Sequence, residues 1–305
     1  MKHERRTMFR GSITALVTPF KDGKIDWKAF DNLVEWQIEQ GSHGLVPCGT
    51  TGESPTLSHD EHMAIVKRCV DVVKGRIPVI AGTGSNSTSE AIELSVAAKD
   101  AGADAHLSVV PYYNKPSQAG MIAHFTAIAD AAALPMILYN IPGRSVVDMG
   151  NETIATLAKH KHIVGVKDAT GNVARVAELV AMAGKDFCQL SGNDDCVAGF
   201  LAQGGHGVIS VVSNVAPRMH ADMVEAWEAG DLKTFAALRD KLAPLARDLF
   251  CESSPAPVKY AAQRLGLCRD ELRLPLIPAS EAARAKVDAA LAHAGLSVAS
   301  KASAA

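Results

Sequence analysis

Short apolar segments, returning every few dozen residues with helix-forming sequence between them, constrain this chain more than any other feature. Eight of them read as strands: Ser12–Thr18, Gly44–Cys48, Pro78–Gly82, Ala105–Pro111, Met136–Asn140, Ile163–Lys167, Cys188–Ser191 and Gly207–Val212. Most are rich in Val, Ile and Leu without alternation, the pattern of parallel strands covered on both faces. Their starts fall about 20–35 residues apart, room for a strand and its crossover helix. Helix boundaries support the alternation. Ser58–Glu61 and Ser87–Glu90 carry capping-box spacing, and Gly41 and Gly102 stand where helices stop. The shortest interval is filled by Asp194–Gln203 as a brief helix. No GxGxxG follows the first strand, which removes a doubly wound dinucleotide-binding sheet. The pattern predicts an α/β chain whose residues 8–228 form a (β/α)8 barrel, the TIM-barrel class.

Beyond residue 228 the strand signals stop. Leu232–Phe250 and the stretches around Val258–Leu265 and Ser280–Ala294 are helical in pattern and rich in Ala and Leu. They predict a small C-terminal helical domain at 229–296, followed by a disordered Ser/Ala tail at 297–305. Residues 1–7, ahead of Met8, read as a disordered N-terminal extension. Its basic run, Lys2 to Arg6, has no following apolar segment of signal-peptide length, so export is not expected. No apolar run is long enough to span a bilayer, and no membrane partner is expected. A formal charge of −2 without a basic cluster argues against nucleic acid. The six cysteines form no CxxC pair and read as reduced thiols of a cytoplasmic protein. His59 and His62 lie at i, i+3 on a helix, but no third ligand accompanies them, and no metal is expected.

In a barrel of this kind the chemistry sits at the C-terminal ends of the strands. Strand six ends in Lys167, an amine that interrupts the apolar run Ile163–Val166. One reading lets its stem lie along the core while the charge stays wet. The other holds the amine away from water, uncharged often enough to attack a carbonyl. The other strand ends favour the second reading. Cys48-Gly-Thr50-Thr51-Gly-Glu53-Ser54 is a tight loop whose N–H and hydroxyl groups can converge on an anion. No Lys or Arg suited to a phosphate lies there, so a carboxylate is the natural guest. Tyr112, Tyr113 and Tyr139, three of the four tyrosines, stand at strand ends and can relay protons. Arg144, after a Pro-Gly turn, can clamp a second carboxylate. An amine, tyrosine hydroxyls, an anion loop and an arginine suit imine chemistry on a keto acid.

These residues resemble a known family. Gly44-Leu-Val-Pro-Cys-Gly-Thr-Thr-Gly-Glu53, followed by Glu61, looks like one signature of the dihydrodipicolinate synthase and N-acetylneuraminate lyase superfamily. Tyr139-Asn-Ile-Pro-Gly-Arg144 leading to Gly165-Val-Lys-Asp-Ala-Thr-Gly171 looks like the other, and the likeness runs from Gly11 to about Leu296. Pro111–Ser117, Arg144 and Ser210–Asn214 are most similar to its dihydrodipicolinate synthase branch.

The resemblance implies condensation of pyruvate with L-aspartate 4-semialdehyde, the first committed step of the diaminopimelate route to lysine, with no cofactor. Lys167 would form the Schiff base. Thr50 and Thr51 would hold the pyruvate carboxylate, and Thr50, Tyr139 and Tyr113 would form a proton relay. Tyr113 would cross a dimer interface within a homo-oligomer, a tetramer built as a dimer of dimers. Arg144 would receive the carboxylate of the aldehyde, and Gly192 and Ile209 would line the pyruvate pocket through their backbone. Ser54, His59, His62, Asn86, Glu90 and Tyr112 match the feedback site for L-lysine in sensitive members. Pro55 stands where a small residue such as alanine is common, and Gly143 where some relatives have serine.

Two other readings remain. A sialic acid or 2-keto-3-deoxy sugar acid aldolase of the same superfamily would share Lys167, Tyr139 and the Thr50–Thr51 loop, but would need polar groups for a sugar chain instead of Arg144. A non-catalytic barrel that binds keto acids would have no use for Lys167, Tyr139 and Tyr113 together.

Overall fold

The computed structural model describes residues 9–296. The expected extension at 1–7 and tail at 297–305 lie outside the described residues. Eight strands form one sheet: β1 (Gly11–Ala15), β2 (Gly44–Val46), β3 (Ile80–Gly82), β4 (Ala105–Val109), β5 (Met136–Asn140), β6 (Ile163–Asp168), β7 (Cys188–Ser191) and β8 (Gly207–Ser210). Their order is β2-β1-β8-β7-β6-β5-β4-β3, and helices alternate with them, which is the expected (β/α)8 class. Every residue of β1 and β5 is buried, as continuous apolar strands require.

The chain divides into two compact units. One holds residues 78–209 with the start of β1, and so carries β3 to β7 and most of β8. Helices α3 (Thr88–Asp100), α4 (Gln118–Ala132), α5 (Asn151–Leu157), α6 (Ala174–Ala183) and α7 (Val197–Ala202) cover these strands. Phe125, Ile128, Met136, Leu138, Ile154 and Leu179 are central to its core. The other unit holds residues 12–77 and 210–296. It contains β2, α1 (Trp27–Glu39), α2 (His59–Val73), α8 (Pro217–Glu228), α9 (Leu232–Asp248), α10 (Ala256–Arg264) and α11 (Glu281–His293).

Several expected boundaries shift for identifiable reasons. β1 ends at Ala15 rather than Thr18 because Asn214 takes over the pairing. The Val17 N–H donates to Asn214 Oδ1 at 3.0 Å, and Asn214 Nδ2 donates to the Ala15 carbonyl at 2.7 Å. β2 stops at Val46 because Pro47 has no N–H and Cys48 turns left-handed at φ 55°. The Ser58 capping box forms as expected, with both reciprocal bonds present. The one expected at Ser87 does not form. Ser85 intervenes: its hydroxyl donates to the Glu90 carboxylate and accepts from the Ser87 N–H, so the glutamate never reaches back.

An antiparallel hairpin, Phe20–Lys21 with Lys24–Ile25, was not anticipated from sequence. Its signal was Asp22-Gly23, both of which adopt positive φ, 55° and 77°. Gly41 and Gly102 do end their helices left-handed, at φ 81° and 87°.

Candidate active site

The position of Lys167 follows from how β6 is built. Met136 pairs with Ile163 but Ile137 pairs with Gly165, so Val164 is one residue too many against β5. A strand alternates sides at each residue, and one extra residue exchanges the sides of everything after it. Beyond that bulge the register is regular and sets Tyr139 directly opposite Lys167. Gly165 follows the bulge because nothing larger fits: a Cβ there would lie 2.6 Å from the Cys188 carbonyl oxygen.

Lys167 is only 6% exposed, and its Nζ lies 4.2 Å from the centroid of the Tyr139 ring. The acid next in sequence is engaged elsewhere. Asp168 Oδ1 accepts from the Thr170 N–H at 2.8 Å and from its hydroxyl at 2.6 Å, and Oδ2 faces Arg175 Nε at 3.5 Å. The amine is thus withdrawn from water beside a phenol ring rather than locked to its neighbouring carboxylate. That is the environment an amine nucleophile requires.

The backbone around it comes from β7 and β8. The Gly192 N–H donates to the Asp168 carbonyl at 2.6 Å, and a Cβ on Gly192 would sit 2.6 Å from that of Ala169. Val208 pairs with Ser191, which carries buried Ile209 one step further, level with Gly192. Arg144 is exposed on the helical turn Pro142–Ser145. Ser145 pins that turn by donating to the carbonyls of Ile141 and Val147, both at 2.9 Å. Asn140 fastens the next residues: its Nδ2 donates to Asp148 at 2.7 Å and its Oδ1 accepts from the Met149 N–H at 3.1 Å. Arg175 grips the same Asp148 at 2.7 Å. Sequence reading overlooked Asn140, Asp148 and Arg175, whose roles appear only once distant residues meet.

Tyr112 and Tyr113 lie past β4 in the loop that leads to α4. Tyr113 is 88% exposed and left-handed at φ 72°. Asn114 ties this loop to the next one by donating to the Asn86 carbonyl at 2.8 Å. Asn86, Glu90 and Tyr112 thus belong to one unit, and Ser54, His59 and His62 to the other. His59 opens α2 on the surface, whereas His62 is buried one turn on.

In the second unit, Thr50 is half-buried and Thr51 buried in the loop after β2. The Gly52 N–H donates to the Gly49 carbonyl at 3.0 Å and the Glu53 N–H to the Thr50 carbonyl at 3.1 Å, so the loop closes on itself. Thr18 donates to the Gly52 carbonyl at 2.7 Å. Glu53, left-handed at φ 57°, sends its carboxylate inward to Lys259 at 2.7 Å, and both side chains are fully buried. Lys259 also escaped sequence reading, although a lysine within the apolar run Ala256–Ala262 was a signal.

Among the described residues no group of three or more His, Cys, Asp or Glu side chains could hold a metal ion. Nor is any helix among them long and apolar enough to cross a membrane.

Comparison with known proteins decides the family. The model of the dihydrodipicolinate synthetase family matches residues 8–294. The chain belongs to that family. It is 60% identical to the 4-hydroxy-tetrahydrodipicolinate synthase of Parvibaculum lavamentivorans, across 95% of this chain and 99% of the relative. Among solved structures, the chloride-inhibited dihydrodipicolinate synthase of Acinetobacter baumannii, complexed with pyruvate, is 48% identical with a TM-score of 0.92, covering 94% of this chain and 99% of that one. The enzyme from Cyanidioschyzon merolae with lysine bound is 39% identical with a TM-score of 0.92, covering 95% and 100%.

Proposed function

We propose that this chain condenses pyruvate with L-aspartate 4-semialdehyde through a Schiff base on Lys167, giving 4-hydroxy-tetrahydrodipicolinate. The observation that carries the reading is the buried Lys167 amine held over Tyr139 at the end of β6. The pyruvate bound by the Acinetobacter baumannii relative supports the choice of keto acid.

Lys167 Nζ attacks the ketone carbon, the carbinolamine loses water, and the iminium acts as electron sink. A methyl proton then leaves to give the enamine, whose carbon attacks the aldehyde. The amine of the aldehyde substrate displaces Lys167 and closes the ring, which returns the free lysine. Thr50 and Thr51 hold the pyruvate carboxylate, while Gly192 and Ile209 line the pocket through their backbone. Thr50, Tyr139 and Tyr113 pass protons to and from the carbinolamine and the new hydroxyl. Arg144 receives the carboxylate of the aldehyde.

Tyr113 acts from a second copy of the chain, in a cytoplasmic tetramer made of two tight dimers. Its exposure of 88% in a single chain supports this, since a large aromatic held out on a left-handed residue calls for a cover. L-Lysine inhibits at Ser54, His59, His62, Asn86, Glu90 and Tyr112. The lysine bound by the Cyanidioschyzon merolae relative supports that reading, and Pro55 is where this chain departs from the usual pattern. The barrel domain spans 8–228 and the C-terminal helical domain 229–296.

Borohydride reduction in the presence of pyruvate, followed by peptide mass spectrometry, tests the central step. A mass increase on the peptide that holds Lys167, absent in Lys167→Ala, is expected; equal trapping in the variant would move the nucleophile elsewhere.

A further inference from the structure

Little within the Thr50–Thr51 loop itself fixes it to the rest of the molecule. Its closing bonds, from Gly52 to Gly49 and from Glu53 to Thr50, are internal, and Thr18 reaches only the Gly52 carbonyl. Cys48 Sγ donates to the His62 carbonyl at 3.5 Å at the start of the loop, and Glu53 holds its end, from a backbone conformation uncommon for a residue with a side chain, φ 57°. Both of its carboxylate oxygens are used. Oε1 accepts from Lys259 Nζ at 2.7 Å and Oε2 from the Arg273 N–H at 3.1 Å.

The partners are themselves held. Lys259 rises from α10, in which Ala256 to Ala262 are all buried, and its amine lies 4.3 Å from the Phe20 ring centroid. The Arg273 guanidinium covers the same ring at 4.5 Å. It also grips Glu61 through two bonds of 2.6 Å and donates to the Thr56 carbonyl at 3.0 Å. The hairpin thus supplies one aromatic ring that both cations contact, and Lys259 reaches from it to Glu53.

A fully buried ion pair is poor at adding stability, because desolvating both charges offsets most of their attraction. Replacing a buried pair by apolar residues of similar volume is commonly neutral or stabilising. What the ion pair adds is a fixed place for the carboxylate, since Oε1 is held by Lys259 Nζ at 2.7 Å while Oε2 is held by the Arg273 N–H at 3.1 Å. That place is fixed two residues after Thr51.

We propose that Glu53 and Lys259 are positioning residues for substrate binding: a buried ionic strut that sets where Thr50 and Thr51 present their hydroxyl and N–H groups to the pyruvate carboxylate. The inference rests on the function proposed above.

The test replaces the pair with a neutral one of similar shape, Glu53→Gln with Lys259→Met, and compares it with the unaltered enzyme. The pyruvate KM and the half-saturating pyruvate concentration for borohydride trapping are expected to rise about tenfold, while the aldehyde KM stays within about twofold. Thermal unfolding is measured alongside, because a merely structural pair would change the melting temperature and leave the pyruvate KM alone. A folded double variant with unchanged pyruvate KM overturns the proposal. Should the double variant not fold, Phe20→Leu decides instead. It keeps both charges and loosens the ring against which Lys259 and the Arg273 guanidinium both rest, so a pyruvate KM raised about two- to threefold supports the strut and an unchanged one rejects it. If the unaltered protein traps no pyruvate, the proposed function fails and takes the strut with it; normal trapping with indifferent variants removes the strut alone.

Discussion

Two lysines among the described residues are buried, and their neighbours place them in opposite settings. Lys167 sits against the face of a phenol while Asp168 is occupied by Thr170, so its amine is not tied to the neighbouring carboxylate. Lys259 is pushed down by burial but stands against Glu53, so its charge is committed to one partner. The first is conspicuous by position, because it ends an apolar strand. The second interrupts the apolar run Ala256–Ala262, but the partner that explains it lies 206 residues away. Arg144 offers the sharpest test at this scale. Its Ala variant should lose about 10- to 100-fold in kcat/KM for the aldehyde, the size of a lost charged hydrogen bond, while pyruvate trapping stays normal. Steady-state kinetics at saturating pyruvate, paired with borohydride trapping, checks both halves.

Among the elements, β6 carries the most information per residue. Its bulge at Val164 fixes the side on which Lys167 emerges, and Gly165 permits β7 to pass within contact of it. Gly165→Ala should destabilise by about 1–3 kcal/mol through overpacking against Cys188, measured by urea unfolding. The strands themselves were legible because runs of Val, Ile and Leu covered on both faces leave few alternatives. Strand ends were less so, since side chains such as Asn214 replace backbone partners and no local pattern announces it. The failed cap at Ser87 has the same origin. In Ser85-Asn-Ser-Thr-Ser89 several hydroxyls compete for one glutamate, and geometry selects Ser85. The bulge was invisible for a related reason: a sequence shows that a strand is apolar, not how it is registered on its neighbour.

At the scale of the whole molecule, acid should loosen the fold in two stages. Burial holds His106 and His124 at about 4, below the ordinary 6.5. Between those values the unfolded chain binds protons that the folded chain refuses, so stability is full above about 6.5 and falls as pH drops toward 4. Glu61, held at about 2 chiefly by its bonds to Arg273, adds stability above the carboxylate range that is lost as pH falls from about 4.5 to 2. Calorimetry should therefore show the melting temperature declining from pH 6.5 to 4.5, with a smaller decline in His124→Gln.

The division of the chain also bears on how the molecule is made. Residues 78–209 form a continuous stretch of one unit, whereas the other waits for residues 210–296 to join 12–77. Glu53 and Lys259 are 206 residues apart, so at ~5–20 residues per second the ribosome needs about 10–40 s between them. For that interval the nascent chain holds a carboxylate whose intended counter-charge has not been translated. The loop beside it stays hydrated and unset until the last third of the polypeptide emerges.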